Sequence, residues 1–305
     1  MKSLFATRNR ATAELARTLL RLARTDLPLL LEGETGVGKS YVAARCHSAG
    51  RSGRPLVVVD CGAVPGTLLA SALFGHKSGA FTDATRPHVG LLERAREGTV
   101  VLDRVDALPP EGQTALLRVL EERSFFPVGT ATPRPFRARV IGLAGARLGE
   151  RVREAGFRGD LYHRLAGYHA VLPPLRERPE DVVPFARSFL RRRARASERS
   201  ASLTGEAEAT LQAYPWPGNF RELETALVRA LVNAAGDAIG PADLALPADA
   251  WPQVAAQAAS RLRPLAEVER LYALWVLAAE QGNVSRAARV LGVSRRTLIR
   301  WRKPG

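Results

Sequence analysis

The segment from residue 33 to residue 40 constrains the fold of this chain more than any other segment. It reads Gly-Glu-Thr-Gly-Val-Gly-Lys-Ser, a pattern typical of a phosphate-binding loop that joins a β-strand to an α-helix. An apolar run at residues 27–31 precedes the loop, and a helical pattern follows it. Glycines allow backbone N–H groups to surround phosphate oxygens, and the helix N-terminus adds a partial positive charge. We therefore expect a nucleoside triphosphate to bind at Gly33, Glu34, Thr35, Gly36, Val37, Gly38, Lys39 and Ser40.

The loop and a second strand are expected to share a metal ion. Lys39 would reach the β- and γ-phosphates, and Ser40 would ligate Mg²⁺. About 60 residues further along, residues 99–106 are expected to be the second strand of such a site, and Asp103 can hold the same ion there. The next residue is Arg104, at a position where hydrolysis needs a carboxylate. The pattern predicts nucleotide binding and leaves hydrolysis open.

Composition limits the class of protein. With 305 residues and 46% apolar content, the chain is long enough for about two domains with a sizeable core. The formal net charge of +15 favours polyanionic partners, nucleic acid first, although a general bias toward arginine would give the same charge. Cys46 and Cys61 lack metal-ligand spacing and are expected to be reduced core residues. Since no signal peptide or long apolar run occurs, we expect a cytoplasmic protein without membrane contact.

Alternating patterns divide the chain into domains. Apolar runs at residues 27–31, 56–59, 100–102 and 140–143 alternate with helical patterns, which predicts an α/β fold with a doubly wound parallel sheet. From Pro173 onward, the patterns at residues 180–195, 204–214 and 219–235 are helical. The expected domains are an α/β nucleotide-binding subdomain at residues 1–172, a helical lid subdomain at 173–236, a linker at 237–262 and a small all-α helix-turn-helix domain at 263–305.

The C-terminal segment has the pattern of a helix-turn-helix. Residues 261–305 carry ten basic and three acidic residues, a net charge of +7. Asn283 or Ser285 can cap the second helix, Gly292 permits the tight turn, and Ser294 can cap the third helix. The residues expected to form the apolar core are Leu271, Leu274, Trp275 and Ala278 of a first helix at 265–280, Ala287, Ala288 and Leu291 of the second, and Leu298 and Trp301 of the third.

The third helix of this motif is expected to enter the major groove of double-stranded DNA. Its outward residues would be Arg295, Arg296, Thr297 and Arg300. Arg295 and Arg296 are candidates for base edges, whereas Arg286 and Arg289 are candidates for phosphate contacts. The alternative is a three-helix interaction bundle with solvated arginines. Because a lone copy would bind weakly, we expect dimers on a palindromic site.

A further motif, Leu-Phe-Gly-His-Lys-Ser-Gly-Ala-Phe-Thr-Asp-Ala at residues 73–84, completes a family resemblance. The chain resembles the AAA+ activators of sigma-54 RNA polymerase, also called bacterial enhancer-binding proteins, most of which end in a Fis-type helix-turn-helix. The resemblance implies an AAA+ P-loop fold with a helical lid, ATP as the nucleotide, and contact of Phe81 and Thr82 with sigma-54 in the RNA polymerase holoenzyme. Asp83 replaces the family's usual glycine and reduces backbone freedom. Phe81 as an ordinary core aromatic is the alternative, but its Gly, Ser, Thr and Asp neighbours favour a loop.

The resemblance also assigns two arginine fingers. Residues 156–165 are similar to the family's finger segment, so Arg158 and Arg164 would stabilise charge at a neighbouring subunit's γ-phosphate. This implies a homo-oligomer, from a dimer to a hexameric or heptameric ring, or a mixed ring with a homologue. Alternatively, these arginines pair with Glu154 or Asp160 on a solvated face.

Two sensor segments can also be compared with the family. Residues 216–224 are similar to its sensor II motif, which implies that Arg221 reaches the nucleotide from the lid. Asn219 in this segment is also a good N-cap. Residues 142–145, Gly-Leu-Ala-Gly, occupy the place of sensor I and have no polar side chain to detect a γ-phosphate.

Asp60 and Arg104 stand where the family has an asparagine and the catalytic glutamate. We hypothesise an Asp–Arg ion pair on adjacent strands, strongest if bidentate; in the alternative, Arg104 points at the γ-phosphate. Asp106 would share a strand face with Arg104 but lie about 6–7 Å too far along to replace the carboxylate. Since water activation is worth about 10²–10⁴-fold, we expect little turnover.

Three functions follow from these patterns. The leading one is an ATP-binding, sequence-specific DNA-binding transcriptional regulator that remodels sigma-54 RNA polymerase by hydrolysis. The second is a hydrolysis-deficient regulator that tunes or represses transcription. It could act in mixed rings with an active homologue, because arginine fingers serve a neighbouring subunit's site. The third, a replication-type AAA+ loader, is disfavoured by residues 73–84.

Overall fold

The computed structural model describes residues 7–63, 66–80, 85–197, 201–246, 265–280 and 282–302. The chain forms two compact units. Residues 11–34 and 38–172 belong to the first unit, whereas residues 7–10, 35–37 and those from 173 onward belong to the second. Along the chain, the first unit ends at Leu172 and the second resumes at Pro173. Residues 35–37 of the phosphate loop group with the second unit.

The first unit contains the strands and helices of an α/β domain. In chain order its elements are α1 (Arg10–Leu22), β1 (Leu29–Glu32), α2 (Lys39–Arg51), β2 (Leu56–Asp60), α3 (Gly66–Phe74), β3 (Gly75–His76), β4 (His88–Val89), α4 (Leu91–Arg94), β5 (Thr99–Asp103), α5 (Pro110–Glu122), β6 (Ser124–Phe125), β7 (Arg134–Pro135), β8 (Arg139–Ala144), α6 (Leu148–Arg153), α7 (Gly159–Leu165) and β9 (Tyr168–Val171).

Five of these strands form a parallel sheet in the order β2-β5-β8-β1-β9. Every residue of β1 and β8 is buried, because helices cover both faces of such a sheet and the strands read as continuous apolar runs. The α/β fold and its four predicted strands are confirmed, with small shifts of their ends. The sequence missed β9, an edge strand of alternating burial.

The second unit contains the lid and the C-terminal helices. Its elements are α8 (Val182–Ser197), β10 (Ser202–Leu203), α9 (Gly205–Ala213), α10 (Asn219–Asn233), β11 (Ala238–Ile239), α11 (Pro241–Leu244), α12 (Leu265–Ala279), α13 (Val284–Leu291) and α14 (Arg295–Arg302). The three predicted lid helices and the three predicted C-terminal helices are present. Trp216 and Leu223 are fully buried in the lid core. Along the described ranges, no helix combines the length and apolar character that crossing a membrane requires.

Two expectations about the second unit are wrong. The segment after Pro173, for which the sequence predicts helices alone, also contains two strands, β10 and β11, which pair in parallel. The linker expected at residues 237–262 does not begin at 237, since Ile239 and Leu244 are fully buried in the lid core. The rest of that linker, from residue 247, lies outside the described residues. Ala213 of α9 packs in the same apolar cluster as α12 and α14, so the C-terminal helices are not a separate body.

Candidate nucleotide-binding and DNA-binding sites

The carboxyl ends of the parallel strands place the candidate catalytic residues along one edge of the sheet. Asp60 ends β2 and Asp103 ends β5, and the two residues are partners in the register of these neighbouring strands. β8 lies next to β5, and β1, which leads into the phosphate loop, lies next to β8. Ligands of open α/β sheets bind beyond this edge. The topology therefore gathers both aspartates and the start of the loop on one side of the first unit.

The phosphate loop has the backbone conformation that its glycines permit. Gly36 has a φ of 78° and Gly38 a φ of 100°, both in the left-handed region that favours glycine. Lys39 begins α2 and donates from Nζ to the backbone oxygens of Gly33 at 2.7 Å and Glu34 at 3.0 Å. The ammonium group thus lies against the first residues of the loop, where it can meet a phosphate.

Ser40 and Asp103 suit an ion that binds together with a nucleotide. Ser40 is exposed in the first turn of α2, and Asp103 is half-buried at the end of β5. Mg²⁺ keeps several waters and needs only one or two protein carboxylates beside substrate phosphates. In the described ranges, no group of three or more His, Cys, Asp or Glu side chains could hold a metal ion elsewhere. The two side chains fit Mg²⁺ and remain predicted ligands.

Arg104 forms an ion pair with Asp60, as hypothesised. Its Nε and Nη2 donate to the same oxygen, Oδ1 of Asp60, at 2.9 and 2.5 Å, so the pair is not the bidentate arrangement over two oxygens. The hydrogen bond from Arg104 lowers the pKa of Asp60 below its usual value. A Cβ placed on Gly62 would lie 2.8 Å from Cζ of Arg104. The guanidinium therefore occupies space beside the β2 end that a larger residue at 62 would fill.

The strand argument used for Asp106 is wrong. Arg104 has a φ of 54°, which ends β5 at Asp103, and Val105–Ala107 form a 3₁₀ turn. Asp106 is therefore not two residues further along a strand. One of its oxygens, Oδ1, is buried without a hydrogen-bond partner among the described residues, and a Cβ on Gly145 would lie 3.3 Å from Oδ2. The carboxylate points toward the end of β8, where sensor I is expected.

The two candidate finger arginines are paired within the chain. Arg158 donates from Nε and Nη2 to the two carboxylate oxygens of Asp160 at 3.1 and 2.7 Å. This contact lowers the pKa of Asp160 to about 2. Arg164 lies 3.4 Å from Oε1 of Glu121. The alternative of local pairing is thus realised for Arg158, and its partner is Asp160 rather than Glu154. Both guanidinium groups are about half exposed, 47% and 57%, and remain available to a neighbour.

Phe81 and Thr82, the predicted sigma contacts, lie outside the described residues, as does Asp83. The structure describes the base of their loop. β3 pairs with β4 in an antiparallel ladder, and a Cβ on Gly75 would lie only 2.4 Å from the backbone oxygen of His88. Ser78 Oγ also donates to the backbone oxygen of Thr85 at 3.0 Å. The described residues on either side of residues 81–84 are therefore held together beside a two-stranded ladder.

In the second unit, the sensor II segment meets the apex of the phosphate loop. Arg221 is exposed, and a Cβ on Gly36 would lie 3.2 Å from Cβ of Arg221. The expectation that Asn219 caps the helix is wrong, because Gly218 is the N-cap and makes no side-chain bond. Asn219 has a φ of 54° and is fully buried. Its Oδ1 accepts from the backbone N–H of Leu175 at 2.7 Å.

Sequence reasoning missed Arg178. Its side chain is 5% exposed, it donates from Nη2 to the backbone oxygen of Val37 at 3.1 Å, and it lies 4.8 Å from the ring centroid of Phe220. Burial lowers its pKa to about 10. The available signal was an arginine three residues after the apolar Leu175, but a charged residue in a polar run ordinarily indicates an exposed position.

The helix-turn-helix has the predicted caps and turn. Asn283 Oδ1 accepts from the N–H of Arg286 at 3.0 Å, and Ser294 Oγ accepts from the N–H of Thr297 at 3.0 Å. Gly292 has a φ of 65° and ends α13. Ser285 does not cap α13, because its hydroxyl accepts from Arg295. These contacts fix the angle between α13 and α14.

The candidate DNA contacts divide by exposure. Arg286, Arg289, Arg295, Arg296 and Arg300 are exposed, whereas Thr297 is half-buried. The hydroxyl of Thr297 lies 2.8 Å from that of Ser294, so it takes part in the cap. Arg286 pairs with Glu280 at 2.8 Å. Leu298 is fully buried and Trp301 packs against the same cluster, which leaves Arg295, Arg296 and Arg300 on the outer face of α14.

The predicted core face of α12 is shifted. Its buried residues are Ala273, Val276 and Leu277, while Leu274 and Trp275 are half-buried. Trp275 packs against the lid cluster as well as the cluster of α13 and α14. The side chains of Leu271 and Ala278 lie outside the described set. A helix with apolar neighbours on two sides has no single apolar face to read from its sequence.

Three family models match this chain in the order of its domains. The sigma-54 interaction domain matches residues 5–170, the AAA+ ATPase lid domain matches residues 176–260, and the Fis family of bacterial regulatory proteins matches residues 264–303. The first model covers more than half of the chain, and the second extends over β11 and α11.

The chain is also similar to individual bacterial regulators. The nitric oxide reductase transcription regulator NorR2 of Cupriavidus necator is 46% identical over 236 residues, which are 77% of this chain and 45% of the relative. The transcriptional regulatory protein ZraR of Klebsiella oxytoca is 39% identical over 292 residues, 95% of this chain and 66% of the relative. This chain thus spans about half to two thirds of the length of these relatives.

Among solved structures, NtrX from Brucella abortus in complex with ATP has a TM-score of 0.71 and 30% identity, over 97% of this chain and 68% of that chain. The 97% of this chain that is covered includes residues of the sheet, of the lid and of the C-terminal helices. The motif-based resemblance is confirmed by the family models, the relatives and the fold. The chain belongs to the sigma-54 interaction domain family of bacterial regulators.

Proposed function

We propose that this protein is an ATP-binding, sequence-specific DNA-binding transcriptional regulator of the sigma-54 activator type. The observation that supports this proposal most strongly is that one chain contains both a phosphate loop and a helix-turn-helix, in that order. A phosphate loop with glycines at left-handed φ opens α2 beyond the sheet edge, and a capped helix-turn-helix presents exposed arginines on α14. The family models for residues 5–170 and 264–303 support the same two partners, sigma-54 and DNA.

In the proposed mechanism, the loop holds the phosphates of ATP through its N–H groups and Lys39. Ser40 and Asp103 would hold Mg²⁺, which neutralises phosphate charge when bound. Arg158 and Arg164 would leave Asp160 and Glu121 to serve a neighbouring subunit, which joins nucleotide binding to assembly into a homo-oligomer or a mixed ring. That NtrX was solved with ATP supports the choice of nucleotide.

Replacing Lys39 with alanine is expected to weaken ATP binding about 10- to 100-fold, since the variant loses a charge-assisted hydrogen bond to phosphate. Isothermal titration calorimetry of the full chain with ATP and Mg²⁺ measures this loss of ATP affinity. Arg45→Ala, which removes a positive charge from α2 outside the loop, serves as the matched control and should bind like wild type. A wild-type protein that binds no nucleotide at millimolar concentration would contradict the proposed function.

Sigma-54 contact is assigned to Phe81 and Thr82, which lie in the sequence between β3 and β4. We expect Phe81→Ala to abolish activation of a sigma-54 promoter in vitro while leaving ATP and DNA affinity unchanged. The readout is transcript yield with sigma-54 holoenzyme. Val89→Ala, at an exposed position in the base of the same loop, is the control and should keep its activity. Unchanged transcription with Phe81→Ala would mean that the protein does not act through this contact.

The second candidate is a regulator that binds ATP but does not hydrolyse it, and the Asp60–Arg104 ion pair favours it. The cation at position 104 leaves no carboxylate there to activate water, and residues 142–145 have no polar side chain at the sensor position. Such a protein would tune or repress a promoter, alone or in mixed rings with an active homologue. Steady-state ATP turnover with and without DNA distinguishes it from the leading candidate.

A further inference from the structure

Three consecutive backbone carbonyls of the phosphate loop accept hydrogen bonds from residues of the second unit. The oxygens of residues 35, 36 and 37 accept in turn from Asn219 Nδ2 at 3.0 Å, the N–H of Phe220 at 3.0 Å and Arg178 Nη2 at 3.1 Å. All of these residues belong to the same compact unit. One short segment of helix and one buried arginine therefore hold the apex of the loop.

These contacts determine where the loop's amide hydrogens point. In a trans peptide the C=O and the N–H of the next residue point in opposite directions. With the carbonyls of residues 35–37 held by the lid, the N–H groups of Gly36, Val37 and Gly38 face the other side. Phosphate oxygens bind to amide groups of this kind. The lid thus orders the peptides that the nucleotide needs, without touching the nucleotide.

The donors are fixed by their own surroundings. Asn219 is fully buried, and its Oδ1 accepts from the N–H of Leu175. Its side-chain amide therefore cannot flip without breaking this hydrogen bond and the one to Thr35. Arg178 lies on the ring of Phe220, and its Nε is buried with no hydrogen-bond partner in the described residues. A Cβ on Gly36 would lie 2.2 Å from the backbone oxygen of Gly218. Only glycine allows the loop to approach this closely.

We propose that Asn219 and Arg178 are positioning residues that hold the phosphate loop in its nucleotide-binding conformation. The inference rests on the proposed nucleotide binding and adds that affinity is set partly from the lid. Since the oriented N–H groups serve phosphates common to ADP and ATP, loss of either residue weakens both nucleotides by the same factor. A residue that detects the γ-phosphate would affect ATP alone.

The test uses Asn219→Asp and Arg178→Met in the full chain. Aspartate can still accept from Leu175 but cannot donate to the oxygen of Thr35; methionine fills space beside Phe220 but has no donor. Isothermal titration calorimetry is expected to show that the Kd values for ADP and for ATP are both raised about 10-fold in each variant. This is the loss of affinity expected when one amide–phosphate hydrogen bond is misdirected. Arg178→Lys, which restores a cation, should recover part of the affinity.

Trp216→Phe is the matched control, because it removes a buried hydrogen bond of the same lid core, from Nε1 to the oxygen of Leu211 at 2.8 Å. It should lower the unfolding temperature and leave both Kd values unchanged below that temperature. Variants that bind ADP like wild type, a loss confined to ATP, or an equal loss in Trp216→Phe would each overturn the inference. A wild-type chain that binds no nucleotide would instead overturn the proposed function.

Discussion

Restoring an asparagine at position 60 and a glutamate at position 104 together is expected to raise ATP turnover by about 10²-fold or more over wild type, within the range of 10²–10⁴ that general base catalysis provides. In wild type, two nitrogens of Arg104 donate to Oδ1 of Asp60; the guanidinium cannot accept a proton, and its contact lowers the pKa of Asp60 and weakens that carboxylate as a base. Both positions must change, because Arg104→Glu alone would place two carboxylates next to each other and raise the pKa of one. The measurement is steady-state phosphate release with ATP and Mg²⁺.

Two variants separate this cause from others. Asp60→Asn alone breaks the ion pair without supplying a base and should stay as slow as wild type. Adding Lys39→Ala to the double variant should remove the gained turnover, which ties it to the phosphate loop. Robust turnover by wild type that is lost in Asp106→Ala would contradict the expectation, since the buried carboxylate near Gly145 would then act as the base.

The Asp60–Arg104 pair also shows what the sequence could predict. Parallel strands bring their carboxyl ends to one edge, so two substitutions separated by more than forty residues could be placed side by side. The detailed geometry could not be predicted, because Arg104 leaves the strand at a φ of 54°. That single turn of the backbone moved Asp106 off the strand face to which the sequence assigned it.

Whether a segment has a continuous run of apolar residues explains which elements could be predicted from the sequence and which could not. The four predicted strands are interior or long apolar runs, whereas β9 reads Tyr-His-Ala-Val with only Ala170 buried. With His169 in its middle and two of its four residues exposed, β9 gives no continuous apolar run. The segment after residue 237 was taken for a linker because its two buried residues, Ile239 and Leu244, stand alone among Pro, Gly and Ala. Only tertiary contacts identify such anchors.

At the candidate site, residues that act through backbone geometry were predictable and residues that act through burial were not. The glycines were expected to let the loop surround phosphate, and Gly36 and Gly38 have the left-handed φ values that such a loop uses. Asn219 was predicted to be a cap because its type favours helix N-termini, yet it is fully buried and bonded to the loop. A sequence shows which hydrogen bonds a side chain can make, but its partners depend on the residues that surround it in the folded chain.

Replacing Arg295 and Arg296 together with alanine is expected to lower affinity for the specific operator by about 30-fold to 10⁴-fold, since each arginine that reads a base edge is worth about 1–3 kcal/mol. Both side chains are exposed at the start of α14, while Leu298 holds the helix in the core. Affinity for unrelated DNA should fall much less, because phosphate contacts elsewhere remain. Fluorescence anisotropy with operator and scrambled duplexes at one fixed salt concentration measures both affinities.

The matched control is Arg191→Ala with Arg192→Ala, which removes two charges from exposed positions on α8 of the lid. If recognition depends on α14, this control changes operator affinity little and keeps the ratio of specific to nonspecific binding. Arg289→Ala should weaken all duplexes alike and reduce the slope of log K against log salt by about 1, as a phosphate contact does. An equal loss from the α8 and α14 pairs would mean that net charge alone holds the protein to DNA, and that α14 is not a recognition helix.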